Sequence, residues 1–311
     1  MTITRSWNNI LEVKKTDKRP IRVLVLGAMG YIGRHICYAL KQNGHMVIAV
    51  SRGKPVHGYF DSYLSLDLSK INDIELLSKS DFDTVIDLIS YIHPNTKPLN
   101  TDDIQKALTP YYHMVDHIFR DKKVIFASSG GTIYGDNPEI CTESTPRHGL
   151  TPYAVQKIMQ EDYLSKTIKE LYILRISNPY GGSQIVKHGV GFVARVIDCA
   201  LRNETITLTV PSITTRDYLH INDVTYSLLM FTENSYDQGM YNISTGVGHS
   251  LHEIIELASH KLNTKIQYKI NLSNYNPEKH IISNVISNKK LTDNTLYKQT
   301  VFIEKYDFVT L

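Results

Sequence analysis

Ile21-Arg22-Val23-Leu24-Val25-Leu26-Gly27-Ala28-Met29-Gly30-Tyr31-Ile32-Gly33-Arg34-His35-Ile36-Cys37-Tyr38-Ala39-Leu40 passes from an apolar, β-branched run through three glycines into a stretch of helical periodicity. A short run of this kind, with no polar alternation, reads as a strand buried on both faces of a parallel sheet. The glycines follow as GxxGxxG. Glycine at these positions allows a tight turn and lets main-chain N–H groups and a helix N-terminus approach a pyrophosphate. The strand before the turn and the helix after it give the motif the context that a dinucleotide-binding turn requires.

Downstream, strand-like and helix-like segments keep alternating. Met46–Val50 reads as a second strand, 63–68 as a third, 84–90 as a fourth and 123–128 as a fifth, with a helix over 102–119. Alternation of this kind predicts a doubly wound parallel sheet that binds ligands beyond the C-terminal ends of its strands. Asp67, Ser90, Ser128 and Ser129 stand at such ends, and Asp67 is placed to meet an adenine amino group. The second strand runs into Ser51-Arg52-Gly53-Lys54. A fold that prefers NAD carries an acid there for the ribose hydroxyls. A serine and an arginine suit a 2′-phosphate instead, because guanidinium offers a planar fork of donors. NADP(H) is therefore the favoured cofactor, with NAD(H) as the alternative.

Tyr153-Ala154-Val155-Gln156-Lys157 sets a tyrosine and a lysine four residues apart in a helical pattern that continues through Tyr163. That spacing stacks both side chains on one helix face. A neighbouring ammonium lowers a phenol's pKa towards working pH and makes it a usable acid or base. Elsewhere such a pair is ordinarily a surface contact; downstream of a dinucleotide turn it points to catalysis.

With these motifs assembled, the chain resembles the extended short-chain dehydrogenase/reductase family, in its sugar-nucleotide epimerase/dehydratase/reductase branch. Further segments carry the resemblance: Ser128–Gly135 with its Ile133-Tyr134-Gly135 ending, Arg175-Ile176-Ser177-Asn178-Pro179-Tyr180-Gly181, Thr215–Val224 with Arg216-Asp217-Tyr218-Leu219-His220, and Tyr241–Gly246. The resemblance spans residue 21 to about 260. It implies a Rossmann-type sheet with a smaller, discontinuous α/β substrate domain. It also implies that Gly27, Gly30, Tyr31, Ile32, Gly33, Ser51, Arg52, Asp67, Leu68, Leu88 and Ser90 contact the cofactor together with Tyr153 and Lys157. Asn178 and Arg216 would contact a sugar nucleotide. Tyr153 would be the acid/base, partnered by Lys157.

The sequence departs from the family pattern at two places. Gly130 stands where the family usually carries a catalytic hydroxyl, so Ser129 or Thr132 must supply it, and the sequence leaves both open. Gly131-Thr132 replace the Asp-Glu pair of dehydratases, which removes the acid and base for water elimination. The remaining readings are an NADPH-dependent reductase of a nucleotide-linked 4-keto-6-deoxyhexose serving surface-polysaccharide synthesis, an NAD-dependent UDP-sugar 4-epimerase, and a non-catalytic nucleotide-binding member of the fold. The Ser51-Arg52 ending favours the reductase.

Composition agrees with a folded enzyme and excludes other classes. The 311 residues carry 34 basic and 31 acidic side chains, a net charge of +3, so no basic field invites nucleic acid. Three widely spaced cysteines suggest a reducing compartment and no disulfide framework or zinc site. No apolar run is long enough to span a membrane and no secretory pattern opens the chain, so a cytoplasmic location is expected. His113 and His117, four apart, read as a polar helix face in the absence of a third ligand. The expected organisation is an extension over 1–20, a dinucleotide domain over 21–178 and 216–248, and a substrate domain over 179–215 and 249–311. The 301–311 segment is expected to form a last strand or helix. Family resemblance further implies a homodimer formed through the 102–119 and 153–166 helices, and, in most members, a pyrophosphate-clamping arginine near 277–280, where this chain has none.

Overall fold

A computed structural model describes residues 19–182, Gln184, 191–306 and Phe308. The extension expected over 1–20 therefore lies almost wholly outside the described residues. At the centre is a seven-stranded sheet: β1 (Arg22–Leu26), β2 (Met46–Ser51), β3 (Ser62–Ser65), β4 (Thr84–Asp87), β5 (Lys123–Ser129), β6 (Glu170–Ile176) and β10 (Gly239–Ile243). Its order is β10-β6-β5-β4-β1-β2-β3, and every pairing is parallel. The chain builds outward from β1 to β3, then returns to the other side of β1 with β4. Such a reversal opens a crevice beyond the ends of the two strands that flank it.

The period-two geometry of β1 explains its continuous apolar sequence. Val23 and Val25 face one layer with Ile36 and Leu40 of the Tyr31–Gln42 helix and Val224 and Leu228 of the Ile221–Glu233 helix. Leu24 and Leu26 face the opposite layer, with Leu108 of the Thr101–Met114 helix and Leu164 of the Pro152–Thr167 helix. Each such side chain, fully removed from water, stabilises the fold by about 1.5–3 kcal/mol before entropy is counted.

Two strands end earlier than the apolar runs suggest, because acidic side chains capture the main chain. At β4 the run to residue 90 stops at Asp87, whose carboxylate accepts the Ile89 N–H at 3.1 Å. At β3 the strand stops at Ser65, and two residues on the Asp67 N–H is taken by the Asp73 carboxylate at 2.7 Å. The helix expected over 102–119 is α-helical over Thr101–Met114 and then widens to a π turn over Val115–Phe119. At the C-terminus the described part of 301–311 holds a 3₁₀ turn, Ile303–Lys305, rather than a strand or longer helix.

A smaller layer covers the crevice. There β9 (Thr215–His220) pairs with β7 (Asn178–Tyr180), with β11 (Gly248–Ser250) and with β13 (Ser283–Asn284), while β8 (Ile206–Leu208) pairs with β12 (Tyr268–Ile270). Strand β9 thus belongs to the smaller sheet, although 216–248 was expected within the dinucleotide domain. The place beside β6 in the large sheet is taken by β10, and β9 pairs instead with β7, β11 and β13. Two buried carboxylates tie the layers together. Asp217 accepts from the amides of Thr245 and Gly246, and Asp223 from those of Thr300 and Val301. Among the described residues no helix is long and apolar enough to cross a membrane.

Candidate active site

A cleft of about 800 Å³ runs across the C-terminal ends of β1, β4, β5 and β6 and under the smaller sheet. A second cavity of about 530 Å³ continues it towards the end of β2. Gly27, Gly30, Tyr31, Ile32, Gly33, Ser129, Thr132, Tyr153, Lys157, Asn178 and Arg216 line the first. Ser51, Arg52, Asp67 and Leu68 line the second, and Leu88 and Ser90 face both. The structure thus brings together every residue that the sequence nominated.

The glycine turn is shaped by close contacts. A Cβ on Gly33 would fall 2.2 Å from the Gly27 carbonyl oxygen and 2.8 Å from Ala28, and Gly27 itself has a φ of +76°. No side chain caps the helix that starts at Tyr31, so its first-turn N–H groups open on the cleft. A pyrophosphate fits this cradle on both counts: close approach and unclaimed donors. The Tyr31 hydroxyl donates to the Gly181 carbonyl at 2.6 Å and Arg34 to that of Gly182 at 3.2 Å, fastening the helix start to the end of β7.

Tyr153 and Lys157 occupy the first turns of the Pro152–Thr167 helix, whose N-terminus is capped by Thr151 accepting from the Ala154 N–H at 3.2 Å. Lys157 is 2 % exposed. Its ammonium donates to the carbonyls of Ile89 at 3.1 Å and Ala127 at 2.9 Å and lies over the Phe126 ring. Burial pushes the Lys157 pKa down to about 8, while Asp87 and Glu161 pull it upward. Burial raises the Tyr153 phenol above its ordinary value, opposed by a hydrogen bond with the Ser129 hydroxyl. Thr132 donates to that same Ser129 hydroxyl at 2.9 Å. The two candidates left open by the sequence are therefore consecutive members of one chain, Thr132 to Ser129 to Tyr153.

The glycines at 130 and 131 are set by their neighbours. A Cβ on Gly130 would lie 2.3 Å from the Ile286 Cδ1 and 2.8 Å from the Arg175 carbonyl oxygen, so a serine there would have to displace backbone. At Gly131 a Cβ would press on the Asn178 amide at 3.1 Å. Asn178 in turn donates to the Asp217 carbonyl at 2.9 Å. Arg216 is aimed by the main-chain carbonyls of Thr215, Ile281 and Ile282, the shortest contact being 2.7 Å to Ile281. In the segment near 277–280, Asn276 caps the 3₁₀ turn Pro277–Lys279.

Sequence reasoning missed several cleft residues. Thr214, Tyr180 and Tyr218 line the cleft with buried hydroxyls that have no hydrogen-bond partner among the described residues. Buried hydroxyls of this kind are ordinarily paired; Tyr218 lies near Arg216 on β9, and Tyr180, on the neighbouring β7, stands opposite His220. Local signals existed for Tyr218, next to Arg216 and Asp217, and for Tyr180, two residues after Asn178 in its motif; Thr214 had none. His93 faces both cavities. The His113 and His117 rings lie 4.3 Å apart, and no group of three metal-ligating side chains occurs among the described residues.

Comparison with known proteins agrees with this architecture. The chain is 28% identical over 267 residues to dTDP-4-dehydro-6-deoxyglucose reductase of Escherichia coli, covering 80% of this chain and 84% of the relative. It is 26% identical over 252 residues to UDP-glucose 4-epimerase of Mycolicibacterium smegmatis, covering 75% and 80%. Among solved structures, UDP-glucose 4-epimerase of Thermus thermophilus in complex with NAD superposes with a TM-score of 0.77 at 24% identity, covering 93% of this chain and 97% of that one. The Thermotoga maritima UDP-glucose 4-epimerase with UDP-glucose gives 0.79 at 23%, with the same coverage. The sequence profile of one family matches residues 23–244, most of the large sheet and the cleft it carries: the chain belongs to the NAD dependent epimerase/dehydratase family.

Proposed function

We propose that the protein is an NADPH-dependent reductase of a nucleotide-linked 4-keto-6-deoxyhexose. The observation that carries this reading is the end of β2, where Ser51 and Arg52 face the adenosine side of the cleft and no acid stands in the strand's last position. A carboxylate there would pair with ribose hydroxyls, whereas a guanidinium pairs with a 2′-phosphate. A reductase consumes and releases its cofactor at each turnover, which suits the phosphorylated form. The Escherichia coli relative, named for reduction of a dTDP-linked 4-keto sugar, supports the same reading.

In this scheme the nicotinamide, when bound, supplies hydride to C4 of the sugar. Tyr153 donates its phenolic proton to the 4-keto oxygen, forming the new O–H bond. Burial keeps the phenol protonated until that moment. The Lys157 ammonium stabilises the phenolate left behind, and the Thr132–Ser129 chain relays a proton to it from water in the cleft that Thr132 lines. Asn178 and Arg216 hold the nucleotide end of the substrate, with Arg216 serving a phosphate.

The ammonium of Lys157 prevails below its pKa of about 8 and is lost above it. kcat/KM for keto-sugar reduction is therefore expected to fall as pH rises through that value, measured under saturating NADPH from about pH 6 to about pH 10. A profile flat to the alkaline end would remove Lys157 from the reaction.

A UDP-sugar 4-epimerase is the second reading, favoured by the UDP-glucose 4-epimerases among the relatives. That reaction must retain its nicotinamide between half-reactions. Arg52→Ala separates the two. The reductase reading expects KM for NADPH to rise by about tenfold or more, as for loss of a charge-assisted hydrogen bond, with NADH unaffected. Protein purified with tightly held NAD, and inert towards NADPH with every 4-keto sugar nucleotide tried, would establish the epimerase instead.

A further inference from the structure

The loop from Leu88 to His93 forms the partition between the two cavities, since Leu88, Ser90 and His93 face both. It is held from three sides. From β4, the Asp87 carboxylate takes the Ile89 N–H at 3.1 Å. Towards the adenosine side, the Tyr91 hydroxyl donates to the Leu68 carbonyl at 3.0 Å. From the catalytic helix comes Gln156, between Tyr153 and Lys157 in sequence and 0 % exposed. Its Oε1 accepts from the amides of Tyr91 at 3.2 Å and Ile92 at 3.0 Å. Its Nε2 donates to the Ser90 hydroxyl at 2.5 Å and the Ile92 carbonyl at 2.6 Å. All four bonds of this amide go to three consecutive loop residues.

An apolar side chain would fill the same volume and would serve packing alone. A buried amide is worth its desolvation only where every donor and acceptor is matched, and a matched one fixes a single geometry. What Gln156 fixes is the turn whose Ile89 carbonyl receives the Lys157 ammonium at 3.1 Å and whose Ser90 enters the cleft. If the loop slid, Lys157 would lose an acceptor and Ser90 would leave its place together. We propose that Gln156 is a positioning residue that clamps the 89–92 loop to the catalytic helix and thereby sets the affinity for the nicotinamide dinucleotide. The inference rests on the reading that the cleft binds such a cofactor. The groups facing Lys157 are Asp87 from β4 and Glu161 from its own helix; neither touches Gln156 among the contacts described, so its effect passes through the loop.

The test is a fluorescence titration of the full-length protein with NADPH, alongside steady-state kinetics and a thermal melt. Gln156→Met, which abolishes all four bonds, is expected to weaken NADPH binding by about tenfold or more, with KM for the sugar nucleotide within about twofold of the wild type. Gln156→Glu keeps an acceptor for both main-chain amides and should bind NADPH at an intermediate level. This graded recovery, read in cofactor affinity and not in substrate KM, is what a merely structural role would not produce. Folded variants that bind NADPH like the wild type would overturn the proposal. So would failure of both to fold, because Gln156 would then be holding the fold and not the cofactor. Absence of NADPH and NADH binding by the wild type itself would instead sink the dinucleotide reading on which the proposal stands.

Discussion

Tyr153→Phe is expected to lower kcat for NADPH-dependent keto-sugar reduction by about a thousandfold while leaving NADPH affinity within about twofold. That loss corresponds to about 4 kcal/mol of transition-state stabilisation. The substitution deletes one oxygen and keeps the ring in the first turn of its helix. The Ser129 hydroxyl, which loses its bond to Tyr153, still accepts from Thr132. The scaffold therefore survives and the proton donor does not. Single-turnover oxidation of NADPH, followed at its absorbance maximum, gives the rate directly, and a parallel titration gives the affinity. Retention of kcat to within tenfold would show that another group protonates the keto oxygen. Absence of NADPH-dependent turnover by the wild-type protein with every 4-keto sugar nucleotide tried, together with retained nucleotide binding, would instead revive the reading of a nucleotide-binding member of the fold that performs no chemistry.

The largest loss of stability is expected from Glu161→Ala. Glu161 is 1 % exposed and accepts from Arg175 Nε at 3.0 Å and Nη2 at 2.7 Å, from Arg147 at 3.1 Å and from the Ser128 hydroxyl at 2.6 Å. Arg175 is itself 1 % exposed and also donates to the Tyr134 hydroxyl and the Glu143 carbonyl. Removing the carboxylate strands a buried guanidinium, which costs about 3–5 kcal/mol in comparable cases. A fall in Tm on the order of 10 °C should follow. The double variant Glu161→Leu/Arg175→Met, which removes both charges, should recover much of that loss. If the single variant lost less than about 1 kcal/mol, water would have to reach the arginine. Glu161 also helps to hold Lys157 protonated, so the alkaline fall in activity should begin at lower pH in any variant that lacks it.

The features legible in the sequence were those whose physics is local. The glycine turn declares itself because Gly33 tolerates no Cβ, and the Tyr153–Lys157 pair because a helix puts residues four apart on one face. The strand ends were less legible. The apolar run through Leu88 and Ile89 continues past Asp87, and only a contact between the Asp87 carboxylate and the Ile89 amide stops the strand. The choice between Ser129 and Thr132 could not be made because the two hydroxyls are hydrogen-bonded in series, an arrangement visible only once the 130–133 turn is folded. The Glu161–Arg175 pair and the Gln156 clamp were invisible for a related reason. Periodicity says that a side chain is buried without naming its partner on another element. For β9, the motif marked a stretch that lines the cleft and gave no sign of which sheet would claim it.

Asp217 and Asp223 hold the chain at 245–246 and 300–301 chiefly through main-chain amides, supplemented by the hydroxyls of Thr245 and Thr300. Arg216 likewise meets 281–282 through carbonyl oxygens. Contacts of this kind recognise the path of the backbone and are largely indifferent to which side chains it bears. The last third of the protein can therefore exchange side chains in these segments over evolutionary time and still be gathered back against β9 and the Ile221–Glu233 helix. Substitutions in those returning segments would thus be absorbed at little cost to the scaffold they close.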